Sequence, residues 1–195
     1  MFKRISLTSA VFATATAPAF AHLDPQEHGS LAAGFSHPLF GADHILAMVA
    51  VGLWAVQIAG SAGRERALWL VPSVFVLTMA AGFGLSLAGI ELPFVEPAIL
   101  ASVIALGLLV AMAARLPLGL SAAVVGVFAL FHGHAHGGEL GDAGALSFGL
   151  GFMIATALLH AGGIAIGFGI SRLSPAVTRL LGGATALLGL SLAFG

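Results

Sequence analysis

Cysteine does not occur in this chain, which excludes a disulfide framework, a thiolate metal site and redox-thiol chemistry. Tyrosine is absent too. Charge is scarce: Asp, Glu, Lys and Arg make up 8% of the 195 residues, against about 25% in a soluble globular domain. Lysine occurs once, at Lys3, and no basic run lies beyond the extreme N-terminus, so nucleic acid is not an expected partner. There is no G-x-x-x-x-G-K-[S/T] phosphate loop, so the 27 glycines serve packing and not nucleotide binding. There is also no H-E-x-x-H pattern, so no general base accompanies a histidine pair at helical spacing, which argues against an intramembrane metalloenzyme.

What the chain does have is apolar sequence: 59% of its residues are hydrophobic and its mean hydropathy is +1.08. This is the composition of an integral membrane protein. Lys3 and Arg4 precede an apolar run, Ile5 to Ala17, which is followed by Pro18 and Ala19-Phe20-Ala21. That order is the charged, hydrophobic, small-x-small sequence of a secretory signal peptide, with cleavage expected after Ala21. The run is too short to span a bilayer, which takes about 20 residues. The expected domains are therefore a signal peptide, 1–21, and one membrane domain, 22–195, that starts at His22.

Six apolar segments follow, at about 30–60, 67–89, 94–114, 117–136, 144–169 and 175–194, each long enough to span with some tilt. With the mature N-terminus outside, Arg64, Arg66, Arg115, Arg172 and Arg179 all fall on the cytoplasmic side, as the positive-inside rule requires. The fold expected is all-α: a polytopic bundle of six transmembrane helices in a bacterial inner membrane, with both termini periplasmic. Small residues such as Ala145 with Gly149, Gly163 with Gly167, and Gly182 with Gly183 would let these helices approach closely.

Two stretches carry ionisable groups inside this apolar sequence. In the first span, Phe35-Ser-His-Pro-Leu-Phe-Gly-Ala-Asp-His-Ile-Leu-Ala-Met48 would place His37, Gly41, His44 and Met48 on one stripe of a continuous helix. Ionisable groups at that depth are by default a functional site. Pro38 removes a backbone donor and should free the carbonyl of Gly34. Asp43 suits either direct metal ligation or orientation of a neighbouring histidine, and spacing does not separate the two. The fourth span ends Phe131-His-Gly-His-Ala-His-Gly-Gly-Glu139. There His132 and His136 lie one turn apart on one face, a spacing suited to two ligands of one metal, while His134 points elsewhere. The bland alternative is a solvated, histidine-rich loop. Counting inward from the outer ends, the two motifs can converge. Further residues along a metal path would be His22, Met48, Glu91, His134 and His160, although hydrogen bonding between helices accounts equally for His160.

The two motifs together resemble the HupE/UreJ family of membrane proteins, associated with hydrogenase and urease systems. His37, Asp43 and His44 fit that family's His-x5-Asp-His element, and Phe131 to Glu139 looks like its Phe-His-Gly-x-Ala-His-Gly-x-Glu element. The resemblance implies a nickel or cobalt permease with His37, Asp43, His44, His132, His136 and Glu139 as the metal positions. It implies no prosthetic group, a transported Ni2+ or Co2+ as cargo, and an indirect link to hydrogenase or urease maturation proteins. Imidazole and carboxylate donors without thiolate suit nickel, cobalt or zinc better than Cu(I). A metal-binding accessory that transports nothing is the competing class, and a homo-oligomer is left open.

Overall fold

A computed structural model describes residues 31–137, 144–171 and 174–195. The signal-peptide stretch, His22, Glu139 and Arg172 lie outside the described residues. Seven helices are present among them: α1 (Leu31–Phe40), α2 (Ala42–Ala59), α3 (Ala67–Leu87), α4 (Val95–Ala111), α5 (Leu118–Gly137), α6 (Ala145–Ser171) and α7 (Pro175–Phe194). The apolar segments read at 67–89, 94–114, 117–136, 144–169 and 175–194 each form one helix.

The first segment does not. The stretch expected as one helix over 30–60 is two, α1 and α2, broken at Gly41. The helix runs on through Pro38 to Phe40, and the chain then turns extended at Gly41 (φ −86°, ψ 115°), whose carbonyl becomes the first acceptor of α2 by taking the amide of Ile45 at 3.0 Å. The continuous stripe of His37, Gly41, His44 and Met48 is therefore replaced by two histidines on separate helices. A side chain at Gly41 would also collide with its neighbours, because its Cβ would stand 2.9 Å from the Asp43 carboxylate and 3.0 Å from the His44 ring.

At 1.5 Å per residue, α1 is about 15 Å long, half the hydrocarbon thickness of a bilayer. Five helices, α2, α3, α5, α6 and α7, are long and apolar enough to cross a membrane, and α4 is shorter at 17 residues. The described residues are thus consistent with a multi-pass membrane protein. Helix α2 sits at the centre: 61% of its apolar window is buried, against 28–33% in the other four long helices. Those four expose large apolar side chains such as Leu77, Leu120, Leu158, Leu180 and Leu187, which lipid solvates without penalty.

Four helix pairings build the bundle: α3 with α5, α4 with α7, and α6 with both α1 and α2. Each is made by a reciprocal pair of glycines. A Cβ at Gly133 would strike the Met79 carbonyl and one at Gly82 the Leu130 carbonyl, while Gly107 faces Gly182, Gly52 faces Gly163, and Gly34 faces the turn around Gly151. In lipid, where apolar burial drives little helix association, such backbone contact supplies the packing. Of the small residues singled out in the sequence, Gly163 and Gly182 lie in these crossings and Gly149 meets the Phe83 ring, whereas Gly183 faces open space.

The two ends of the bundle differ in charge. At one end the terminal carbonyls of α4 and the turn after it are capped by Gln57 Nε2 on Val110 (3.0 Å), Arg179 Nε on Ala111 (2.8 Å), Trp54 Nε1 on Ala114 (2.8 Å) and an Arg64 guanidinium nitrogen on Leu116 (3.0 Å). These are carbonyls that an isolated helix end leaves unsatisfied. Arg64, Arg115 and Arg179 thus share one end, and Glu91 and Glu96 lie at the opposite end of α4.

Candidate metal-binding centre

The carboxylate end of the bundle holds four imidazoles joined by ring contacts through His44 and His136. His37 comes from α1, His44 from the first turn of α2, and His132 and His136 from the last turns of α5. The ring centroid of His136 lies 4.4 Å from that of His37 and 4.8 Å from that of His44, and His132 lies 4.9 Å from His44. The gap between His37 and His44 is 6.3 Å. His44, His132 and His136 are buried, and His37 and Asp43 are half-buried. Two segments separated by some ninety residues therefore meet, as their spacing and depth suggested.

Hydrogen bonds fix what each ring offers. Asp43, in the first turn of α2 where the helix dipole favours an anion, accepts the Nδ1–H of His44 at 3.0 Å. That fixes the His44 tautomer and leaves its Nε2 lone pair facing Nε2 of His136, 2.8 Å away. A carboxylate behind a histidine is the usual arrangement for orienting an imidazole ligand. His132 Nε2–H donates to Ser102 Oγ at 2.8 Å, because the Ser102 hydroxyl is itself committed to the Ile99 carbonyl at 2.6 Å. The remaining nitrogen of His132, Nδ1, is buried and has no hydrogen-bond partner among the described residues. An orphaned buried acceptor costs about 1–3 kcal/mol.

By kind, imidazole nitrogens are donors that suit a borderline divalent ion. The Nε2 atoms of His44 and His136 share a hydrogen bond at 2.8 Å, whereas two nitrogens about 2.0–2.1 Å from one tetrahedral metal would stand about 3.3 Å apart. A bound cation would replace the proton they share. Among the described residues no group of three or more His, Asp or Glu side chains is arranged so that it could hold a metal ion; the imidazoles are packed ring on ring and converge pairwise.

A profile of the HupE / UreJ protein family matches residues 10–192. The chain belongs to the HupE/UreJ family. Protein HupE of Rhizobium leguminosarum bv. viciae is 44% identical across 196 aligned positions, which cover 100% of this chain and 99% of that protein. No solved structure matches the chain.

In this HupE/UreJ member the other histidines among the described residues lie apart from the cluster. His134 Nε2–H donates to the Ile90 carbonyl at 2.7 Å, in the turn beside the exposed Glu91, and so points away from the cluster. Met48, one turn along α2 from His44, is fully buried in the apolar core. His160 lies deeper, against Phe75. Glu139 and His22 are outside the described residues.

Three contributors escaped the sequence reading. Ser102 holds His132, and Phe148 and Phe152 of α6 wall the cluster, with Phe152 5.0 Å from His136 and 6.0 Å from His44 and Phe148 5.6 Å from His37. Ser102 alone left a trace, as a polar residue inside an otherwise apolar helix. Ser102→Ala is expected to keep the fold while freeing the His132 ring; where His132 serves as a ligand, loss of its orienting partner should lower metal affinity about tenfold. Equilibrium nickel binding to the detergent-purified wild-type and Ser102→Ala proteins checks this.

Proposed function

We propose that the protein is an inner-membrane permease that carries a divalent transition-metal ion, nickel first among them, from the periplasm to the cytoplasm, where hydrogenase or urease maturation consumes it. The observation that carries this reading is the meeting of His37, His44, His132 and His136, with Asp43 behind His44, at one end of a bundle of apolar helices. Four imidazoles and a carboxylate without a thiolate favour nickel, cobalt or zinc over Cu(I). Nickel is chosen over the others because the family is associated with hydrogenase and urease systems. Donors that converge pairwise suit transit, since a conducting site has to bind well enough to admit an ion and weakly enough to release it.

With residues 1–21 removed and six crossings, the carboxylate end faces the periplasm and the arginine end the cytoplasm, in keeping with the positive-inside rule. A divalent cation moving inward gains about 4.6 kcal/mol at 100 mV, which sustains a gradient of a few thousandfold. No ATP site is then required.

Proteoliposomes with an inside-negative potential should accumulate radioactive nickel when they carry the wild-type chain. Asp43→Asn keeps an oxygen to accept from His44 but removes the charge, and should lower the initial rate 10- to 100-fold. Wild-type protein that binds nickel yet accumulates none inside would turn the reading into that of a metal-binding accessory.

A further inference from the structure

Three of the four imidazoles rest on one phenyl ring. Phe152, 1% exposed, has its ring centroid 5.0 Å from that of His136, 6.0 Å from His44 and 6.1 Å from His37. It lies seven residues along α6 from Ala145, about 10 Å in from the carboxylate end, whereas His44 and His136 belong to the terminal turns of α2 and α5. An ion held between His44 and His136 is therefore faced by this ring on the side of the arginine end. One turn deeper on the same stripe of α6 stands the Thr156 hydroxyl, fully buried and spent on the Met79 sulfur at 3.7 Å. The Phe152 ring has no lone pair to offer an ion, so inward passage requires it to move.

The ring has somewhere to go. Between α3 and α6, Phe152 borders an apolar groove of about 310 Å³ whose other walls include Met79, Phe83, Gly84, Gly149 and Met153. A dry apolar cavity of about 150 Å³ already accepts a benzene molecule, so the groove has room for a phenyl ring. Gly84 is exposed on the outside of the bundle, and a Cβ there would meet nothing within 4 Å, so lipid chains fill the groove and leave it at little cost. A phenylalanine on a helix has two common χ1 rotamers, and exchange between them sweeps its ring across the helix face. Phe148 lies nearly parallel to Phe152 (6.2 Å, 15°), and Phe83, which lines the groove, nearly parallel to Phe148 (6.4 Å, 10°). Apolar rings thus continue from the wall of the cluster into the groove.

We propose that Phe152 is the inner gate of the metal centre: with its ring against His37, His44 and His136 the cluster is closed toward the arginine end, and a χ1 switch that moves the ring into the α3–α6 groove opens it. The assignment rests on the permease reading. Each ring contact that holds the gate shut is worth up to about tenfold in the closing equilibrium, so the closed state dominates and the switch acts on turnover. Capture stays with the imidazoles, none of whose nitrogens Phe152 occupies.

Nickel uptake into proteoliposomes, read beside equilibrium nickel binding to the detergent-purified protein, tests the gate. The chain has no cysteine, so Gly84→Cys introduces a single thiol at the groove, which a methanethiosulfonate reagent caps as a mixed disulfide with release of sulfinate. A methylthio cap is small, whereas a benzylthio cap puts a phenyl ring into the space that Phe152 needs. Overfilling that space costs the open state about tenfold or more, so the benzyl-capped protein should transport about tenfold more slowly than the methyl-capped one, with nickel binding within about twofold and recovery once a reducing thiol has removed the cap. Phe152→Leu gives up the ring contacts with the imidazoles and should raise the maximal rate about three- to tenfold. Equal rates with the two caps, or a folded Phe152→Leu protein no faster than wild type, would overturn the gate while leaving the cluster in place. Benzyl capping that weakens nickel binding as much as it slows transport would make the groove a static support of the cluster and also reject the proposal. If the wild-type protein itself transports no nickel, the permease reading fails and the gate falls with it.

Discussion

Nickel uptake through His44→Ala protein is expected to fall at least 100-fold, with the protein still present in the membrane at close to its normal level. His44 is the member of the cluster through which the others are connected. It receives Asp43 on Nδ1 at 3.0 Å and faces His136 across 2.8 Å on Nε2, and its ring touches His132 and Phe152. Truncation removes one proposed ligand and deprives Asp43 of the group it orients, so two contributions of the 10- to 100-fold kind should be lost together. His136→Ala should behave alike, because it removes the other half of the close nitrogen pair. His134→Ala supplies the contrast: its ring is spent on the Ile90 carbonyl at the outer turn, and uptake should stay within about twofold of wild type. Initial rates at fixed free nickel and fixed membrane potential, normalised to membrane protein, decide the matter. Wild-type uptake by His44→Ala would remove the cluster from the transport route altogether.

A structural effect has to be distinguished from a ligand effect in that experiment. Removing His44 leaves the Asp43 carboxylate half-buried without the imidazole it accepts from, which is destabilising on its own account. Asp43→Asn in the His44→Ala background relieves that charge. If the double variant is as thermally stable as wild type and still takes up no nickel, loss of ligation is the cause.

The sequence made some of this legible and hid the rest for identifiable reasons. Apolar runs of 17 or more residues identify the helices at 67–87, 95–111, 118–137, 145–171 and 175–194, since length is the signal that a bilayer imposes. The break at Gly41 was concealed because Pro38, three residues earlier, is the more conspicuous interrupter, and the chain tolerates it inside α1. The pairing of His132 with His136 follows from a four-residue spacing, but their meeting with His44 depends on which way α5 is rotated against α3. That rotation leaves no periodic trace, because a helix apolar all round shows no preferred face. It is set by Gly82 and Gly133, two among 27 glycines. Spacing could not say whether Asp43 binds metal or orients a ring, whereas its 3.0 Å contact with His44 Nδ1 supports the second role. Phe152 reads as one more apolar residue until α6 is folded against α2.

Gly133→Leu is expected to disassemble the site from outside it. Gly133 lies between His132 and His134, and a Cβ there would run into the carbonyl carbon and oxygen of Met79 and the amide of Phe83 on α3. The obstacle is backbone, so no rotamer change relieves it, and α5 has to move away from α3. Gly82 makes the reciprocal contact with the Leu130 carbonyl, so the displacement opens the whole crossing and withdraws His132 from Ser102 and His136 from His44. Overpacking of this kind typically costs about 1–3 kcal/mol and more where backbone has to shift, a large fraction of the stability of a small membrane domain. Gly133→Ala should already lower the melting temperature and uptake, with Gly133→Leu reducing both the amount of protein in the membrane and its nickel uptake to near background. Gly183→Leu, at a position with open space where a side chain would stand, should leave both close to wild type and controls for the loss of a glycine as such. Thermal melting of detergent-purified protein, read beside uptake, tests the order wild type, Ala, Leu at position 133. Equal stability across that series would mean that α3 and α5 do not touch through their backbones, and the placement of His132 and His136 beside His44 would have to be given up with that contact.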